Sequence, residues 1–316
     1  MFGALAIGGA FVFYVAVWVT PRQASGELDQ WVRSVVDGRA SAPYQYRVLV
    51  PAVLVWLADH ASMSMAQATI VVDGVALAVG TAIGFYWLRR SDRGLFVLPA
   101  AVYCGYLTLG LLFFAKPETI TAFAATTAVL LALDGDARRA VDAVALVVGA
   151  AVLVGCRTDL LGALAVGFAV RWWQRRRAAD AAAGAVLAIA AAVATAALSA
   201  HYAAARYPAG VGIVQLDHNF AALPVVVAAS FLAPALGPLV LARQDACRDA
   251  IVQVVRDDAP LLAVVVAELA FSMVFGRIDE VRLLFPVAFA LAVAGIDLWR
   301  AVARSIATPS SPLTSS

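Results

Sequence analysis

The residues in this sequence that can do chemistry fall into short clusters separated by apolar runs. Glu27 and Asp29 form an acidic pair at i, i+2. Such a pair can hold a divalent cation, or act as a general base if burial near an interface tunes its pKa. The same two acids also suit the first turn of a helix, where the N-terminal dipole favours them. Arg47 follows Pro43-Tyr44-Gln45-Tyr46. A guanidinium there can hold a phosphate or pyrophosphate, with Tyr44 and Tyr46 bordering a sugar or lipid headgroup. Tyr and Arg are also ordinary membrane-interface anchors. Lys116 and Glu118 flank Pro117, and Arg157 and Asp159 flank Thr158. His218 sits between Asp217 and Asn219. Arg277, Asp279, Glu280 and Arg282 form a dense ionic knot that can clamp a phosphate or neutralise itself. Neither His201 nor His218 is expected to hold a metal, because neither has a partner at ligand spacing. Glu268 interrupts an apolar run, which places it facing a bundle interior. A proton-relay role for it would need a second intramembrane acid. No P-loop, nucleophile-elbow, zincin or dinucleotide pattern is present.

The elements that must position these clusters are membrane helices. Of the 316 residues 63% are hydrophobic and 14% charged, with a mean hydropathy of +0.87. A soluble domain carries about 25% charged residues. Apolar runs near 2–20, 67–88, 94–115, 118–134, 140–156, 159–171, 181–204, 223–242, 259–276 and 281–299 are candidate spans. The fold class is therefore all-α: a polytopic transmembrane bundle of about ten spans, each needing about 20 residues. Residues 1–300 form one transmembrane domain and 301–316 a disordered cytoplasmic tail. The 159–171 run is short and must borrow Trp172 and Trp173 or be shielded by protein. The alanine-rich 178–205 run reads as a packing helix, not a binding site. The three cysteines, Cys104, Cys156 and Cys247, are far apart and form neither a disulfide framework nor a zinc motif. The basic residues lie in short loops, so nucleic acid is not an expected partner.

Orientation follows from the arginines. Alternate loops carrying Arg89, Arg90 and Arg93, then Arg138 and Arg139, Arg171 to Arg177, Arg243 to Arg256, and Arg300 and Arg304 are assigned to the cytoplasm. The segment 20–66 is then the first outer loop, with both termini cytoplasmic. The 47–59 run decides this. As a helix it rises about 20 Å against a hydrocarbon core of about 30 Å, so it is expected to lie in the outer interface. The alternative, favoured by Arg22, Arg33, Arg39 and Arg47, is that it crosses, with 20–46 cytoplasmic and the N-terminus outside. Segment 27–38 places Leu28, Trp31, Val32 and Val35 on one helical face, with Gly38 ending it. That suits an interfacial helix with its apolar side in the lipid boundary. Segment 243–258 reads the same way on the cytoplasmic side. In this topology the acids, bases and amides gather on the outer face.

An N-terminal span, an outer loop with an acidic pair, amphipathic juxtamembrane helices and many further spans together resemble the GT-C-type membrane glycosyltransferases. Glu27-Leu28-Asp29 fits an ExD form of their first-loop acidic motif. Pro43-Tyr44-Gln45-Tyr46-Arg47-Val48-Leu49-Val50-Pro51 resembles a stretch of multi-pass bacterial proteins of this type, as does the segment from Arg277 to Pro286 entering the last spans. The resemblance covers about the first 60 residues and this late segment; the middle matches by hydropathy alone, and the soluble outer domain of many such enzymes is missing. It implies a polyprenyl-phosphate-linked sugar as donor and a glycan or lipid acceptor at the cell envelope. Asp29 or Glu27 would activate the acceptor hydroxyl. Arg47, Lys116, Arg277 or Arg282 would stabilise the departing phosphate. A transporter or lipid flippase coupled through Glu268, and a non-catalytic assembly subunit, are the alternatives.

Overall fold

The computed structural model describes residues 2–41, 47–90, 97–112, 116–135, 140–202, 216–275 and 283–307. The chain is all-helical, with no strand among the described residues. Helix α1 (Phe2–Tyr14) passes through a π-helical turn (Val15–Val19) into α2 (Thr20–Ala24). The short helices α3 (Glu27–Val36) and α4 (Leu49–His60) follow. Then come α5 (Met65–Arg90), α6 (Val97–Leu112), α7 (Pro117–Asp134), α8 (Ala140–Cys156), α9 (Thr158–Arg175) and α10 (Ala178–His201). After them are α11 (Leu216–Asn219), α12 (Ala222–Leu236) with its 3-10 extension (Gly237–Arg243), α13 (Asp245–Asp257), α14 (Ala259–Phe275) and α15 (Ala288–Ala307), which is entered by a 3-10 turn (Phe285–Val287).

Among the described residues, five helical stretches are long and apolar enough to cross a membrane: Gly3–Ala24, Met65–Arg89, Ala178–His201, Ala222–Arg243 and Phe285–Ala307. The other apolar runs are also helical but shorter or more polar, and protein encloses part of them. Helix α7 is buried along nearly its whole length, from Ile120 to Leu133. A helix walled in by its neighbours needs neither full length nor a lipid-facing apolar surface. Helix α9 is shielded in the same way, burying Leu160, Leu161, Leu164 and Phe168. Helix α15 continues to Ala307, so 301–307 are helical and not the disordered tail expected there; 308–316 lie outside the described residues.

The helices share two ends. Where α1 and α2 finish, Trp18 meets Trp31 of α3 edge-on at 6.5 Å, and the Ala66 N–H at the start of α5 donates to Gln23 Oε1 at 2.9 Å. Helix α7 runs parallel to α5, with Gly80 against Phe123 and Ala124, and the Trp87 indole donating to Asp134. Helices α8 and α9 run in opposite directions beside α7. The starts of α5, α7 and α9 therefore lie at the α3–α4 end. Arg171, Arg175, Arg176 and Arg177, with Arg89, Arg243, Arg256, Arg300 and Arg304, belong to helix termini at the opposite, arginine end.

Helix α4 stays at the α3–α4 end. It begins with Leu49 against Gly155 of α8, and near its finish Asp59 accepts from Arg33 Nη2 of α3 at 2.9 Å. That guanidinium holds Asp59 below the usual carboxylate range. Both ends of α4 thus remain at one end of the bundle, as its length implies.

The apolar face of α3 is the one expected, but protein covers it instead of lipid. Leu28, Val32 and Val35 are fully buried, with Leu28 and Val32 in the main core. Periodicity reveals a one-sided helix; it does not reveal what covers the side. Gly38, at φ +74°, takes the left-handed conformation that ends α3. Helix α13 is similarly docked, with Cys247 and Ile251 against Leu298 and Val302 of α15.

Small residues set several helix separations. A Cβ on Gly149 of α8 would lie 2.7 Å from the Ala125 carbonyl oxygen of α7. Backbone cannot yield as a side chain can, so Gly149→Leu is expected to lower the unfolding free energy in detergent by about 1–3 kcal/mol. Gly8→Leu, where nothing lies within 4 Å, should leave it unchanged in the same titration.

Candidate functional site

At the α3–α4 end the bundle interior holds a chain of ionisable side chains. Pro117 opens α7 at a position where a missing N–H costs nothing, and Glu118 follows in the first turn. Glu118 is 1% exposed, and its Oε1 accepts from Arg47 Nη1 at 2.9 Å. Arg157 sits in the tight turn between α8 and α9, with its own N–H on the Leu153 carbonyl at 2.8 Å. Its Nε donates to both oxygens of Asp159, at 2.9 and 3.0 Å, and its Nη2 donates to Glu268 Oε1 of α14 at 2.6 Å. Glu268 is fully buried. Arg47 is within electrostatic reach of Asp159 and Glu268 as well as Glu118, so the two ion-pair groups form one network. Lys116 adds positive charge beside Glu118.

Two openings lead away from this network. One is a small pocket of about 110 Å³ lined by Trp18, Arg22, Glu27, Leu28, Trp31 and Lys116. The other is a groove of about 860 Å³ between α9, α10 and α14. Thr158 and Asp159 stand at its polar end, and Gly162, Ala188 and Phe271 are among the residues along it. It reaches Trp172 and Ala181, a run of about 20 Å at 1.5 Å per residue. The alanine-rich α10 does pack on α9, as its composition implies, and its small side chains also leave this groove open.

Seven of the residues singled out in the sequence can be placed here: Glu27, Asp29, Arg47, Lys116, Glu118, Arg157 and Asp159. The structure joins the last five, and brings Glu27 to Lys116 through the small pocket. Asp29 stands apart on the outer side of α3, salt-bridged to Arg33 at 3.2 Å. Glu27 lies 3.6 Å from Arg22. Tyr44, Tyr46, Arg277, Asp279, Glu280 and Arg282 lie outside the described residues, as does the side chain of His218. Asn219 is structural: its amide donates to the Ser272 and Met273 carbonyls near the end of α14. No group of three or more His, Cys, Asp or Glu suited to a metal ion occurs among the described residues.

Buried acids that escaped the sequence reading include Asp73, Asp142 and Asp180. Asp73, in the apolar run of α5, is fully buried and accepts from the Tyr14 hydroxyl at 2.8 Å. Its signal was a single acid inside an otherwise apolar span.

Comparison with protein-family models, with curated proteins and with solved structures finds no match.

Proposed function

We propose that this chain is a membrane glycosyltransferase-like protein of about ten crossings that takes a polyprenyl-phosphate-linked sugar as donor. The observation that carries the reading is the union of a buried ionic network with an apolar groove about 20 Å long. Such a pair suits an amphiphile with a charged head and a long chain. The α3–α4 end faces outward, and the arginine end, with both termini, is cytoplasmic on the positive-inside rule.

In this reading an acceptor hydroxyl gives its proton to a carboxylate while its oxygen forms a bond to the anomeric carbon. The bond from that carbon to the phosphate oxygen breaks, and the electron pair leaves with the lipid phosphate. Of the two candidate bases the geometry favours Glu27, which shares a pocket with Lys116 and Arg22. Asp29 is engaged by Arg33. Lys116 and Arg47 counter the charge that grows on the leaving phosphate.

The test uses purified protein in vesicles and a polyprenyl phosphate as the probe. Wild type should bind it, and Ala188→Trp, which fills the groove, should weaken binding at least about tenfold, or about 1.4 kcal/mol. With the sugar-charged lipid, Glu27→Gln should abolish transfer while leaving binding intact. Equal binding by wild type and the Ala188→Trp variant would overturn the groove assignment. Binding without any sugar transfer would favour a flippase or transporter, the second reading. The buried acids Asp73, Glu118 and Glu268 lend that reading its support.

A further inference from the structure

Asp73 lies where an ionised carboxylate has nothing to answer it. Its Oδ2 accepts from Tyr14, while its Oδ1 is buried and has no hydrogen-bond partner among the described residues. No cation pairs with it among those residues. The charged group that reaches it through the interior is another acid, Glu118 of α7. Glu118 has Arg47 on Oε1 and a buried Oε2 without a hydrogen-bond partner among the described residues.

The other groups around α5 do not supply the missing charge. Arg22, behind Tyr14, stacks over the Trp18 ring at 4.7 Å and binds the Trp18 carbonyl. On α4, Asp59 is bound to Arg33 and His60 to the Trp56 carbonyl. On α3, Asp29 is bound to Arg33, and Glu27 faces Arg22. From α6, Tyr103 donates to the Gly80 carbonyl, further along α5. On α8, Cys156 is a buried thiol near Glu118. An isolated carboxylate in a bundle interior beside a like charge is costly enough to bind a proton instead.

We propose that Asp73 is a proton-binding site inside the bundle, with the proton on Oδ1 and the remaining carbonyl oxygen, Oδ2, held by Tyr14. A second observation marks the same place. The π-helical turn Val15–Val19 begins directly after Tyr14, with the Thr20 N–H bonded to the Val15 carbonyl. Such turns insert one residue and re-aim the side chains beside them, and they concentrate at functional positions. Here the turn adjoins the Tyr14 hydroxyl, which touches the acid. The Tyr14 hydrogen bond joins α1 to α5, and release of the proton would place a second negative charge beside Glu118. This gives the protein a group that takes up or gives off a proton within the membrane, whether its cargo is transferred or transported.

Infrared spectroscopy of the full chain in vesicles tests this through the carboxylic-acid C=O stretch. Wild type should show that band at neutral pH, far above the ordinary aspartate pKa of about 3.9. Asp73→Asn should remove it with the fold retained, because a neutral amide replaces a neutral acid. Tyr14→Phe should move it to higher frequency, since the C=O loses its hydrogen bond. Glu118→Gln should shift its loss to lower pH, since a neighbouring negative charge is gone. A band that survives Asp73→Asn unchanged, or the absence of any band in wild type at neutral pH, overturns the assignment. Should Asp73→Asn fail to fold, the Tyr14→Phe frequency decides: an unmoved band overturns the proposal.

Discussion

Arg157→Leu should lower the unfolding free energy by about 3–5 kcal/mol, the largest loss expected at the α3–α4 end. The guanidinium is 2% exposed and is the shared partner of Asp159 and Glu268. Its removal strands Glu268, which is wholly buried, without the cation that balances it. The penalty comes from the charge left behind more than from the bond removed. Replacing both partners should therefore be milder than replacing one. Arg157→Leu combined with Glu268→Leu should recover most of the loss, although Asp159 remains. Denaturant titration of the wild type, the two single variants and the double variant in detergent micelles measures the coupling. If the double variant is as unstable as the sum of the singles, the pair is not a unit.

Arg171→Leu should cost a similar amount, about 3–5 kcal/mol, for a different reason. Arg171 fastens the end of α9 to two elements at once. Its Nε donates to Asp180 of α10 at 2.9 Å. Its Nη1 donates to the carbonyls of Ala132 at 2.9 Å and Gly135 at 3.0 Å, and also to that of Leu133. Carbonyls at a helix C-terminus have no partner within the helix, so this one side chain caps α7. Lysine offers a point charge and no fork, so Arg171→Lys should recover only part of the stability. Arg171 and Asp180 adjoin Trp172 and Ala181 at the apolar end of the groove, not its polar end at Asp159, so both variants should melt earlier while losing less affinity for polyprenyl phosphate than Ala188→Trp does. A loss of affinity equal to that of Ala188→Trp would show the two ends to be coupled.

The helices and their one-sidedness were legible in the sequence. Each apolar run is helical where described, the α3 face at Leu28, Val32 and Val35 is the buried face, and Gly38 ends that helix. Partners distant in the chain were not legible. Arg157 and Glu268 are 111 residues apart, and nothing local in either segment points to the other. Asp73 and Asp180 were hidden because hydropathy averages one acid away among many apolar neighbours. Arg171 read as one more cytoplasmic arginine, although it is buried and caps a helix. The cover over α3 was misread because lipid and protein impose the same apolar pattern on a helix face. Of the candidate site, the sequence supplied the ionised residues and the structure supplied their order and the groove.

The unequal enclosure of the helices bears on how the protein is made. The apolar window of Phe285–Ala307 is 83% buried, against 28% for Gly3–Ala24 and 17% for Ala178–His201. Helix α15 emerges from the ribosome after every other described helix, yet Phe285 and Phe289 fill the space beside Gly110, Phe123, Trp87 and Tyr103. Until it arrives, those surfaces of α5, α6 and α7 have only lipid or a chaperone to cover them. Synthesis and folding are therefore out of step in this chain, and the nascent protein is most vulnerable to membrane quality control just before translation of α15 is complete.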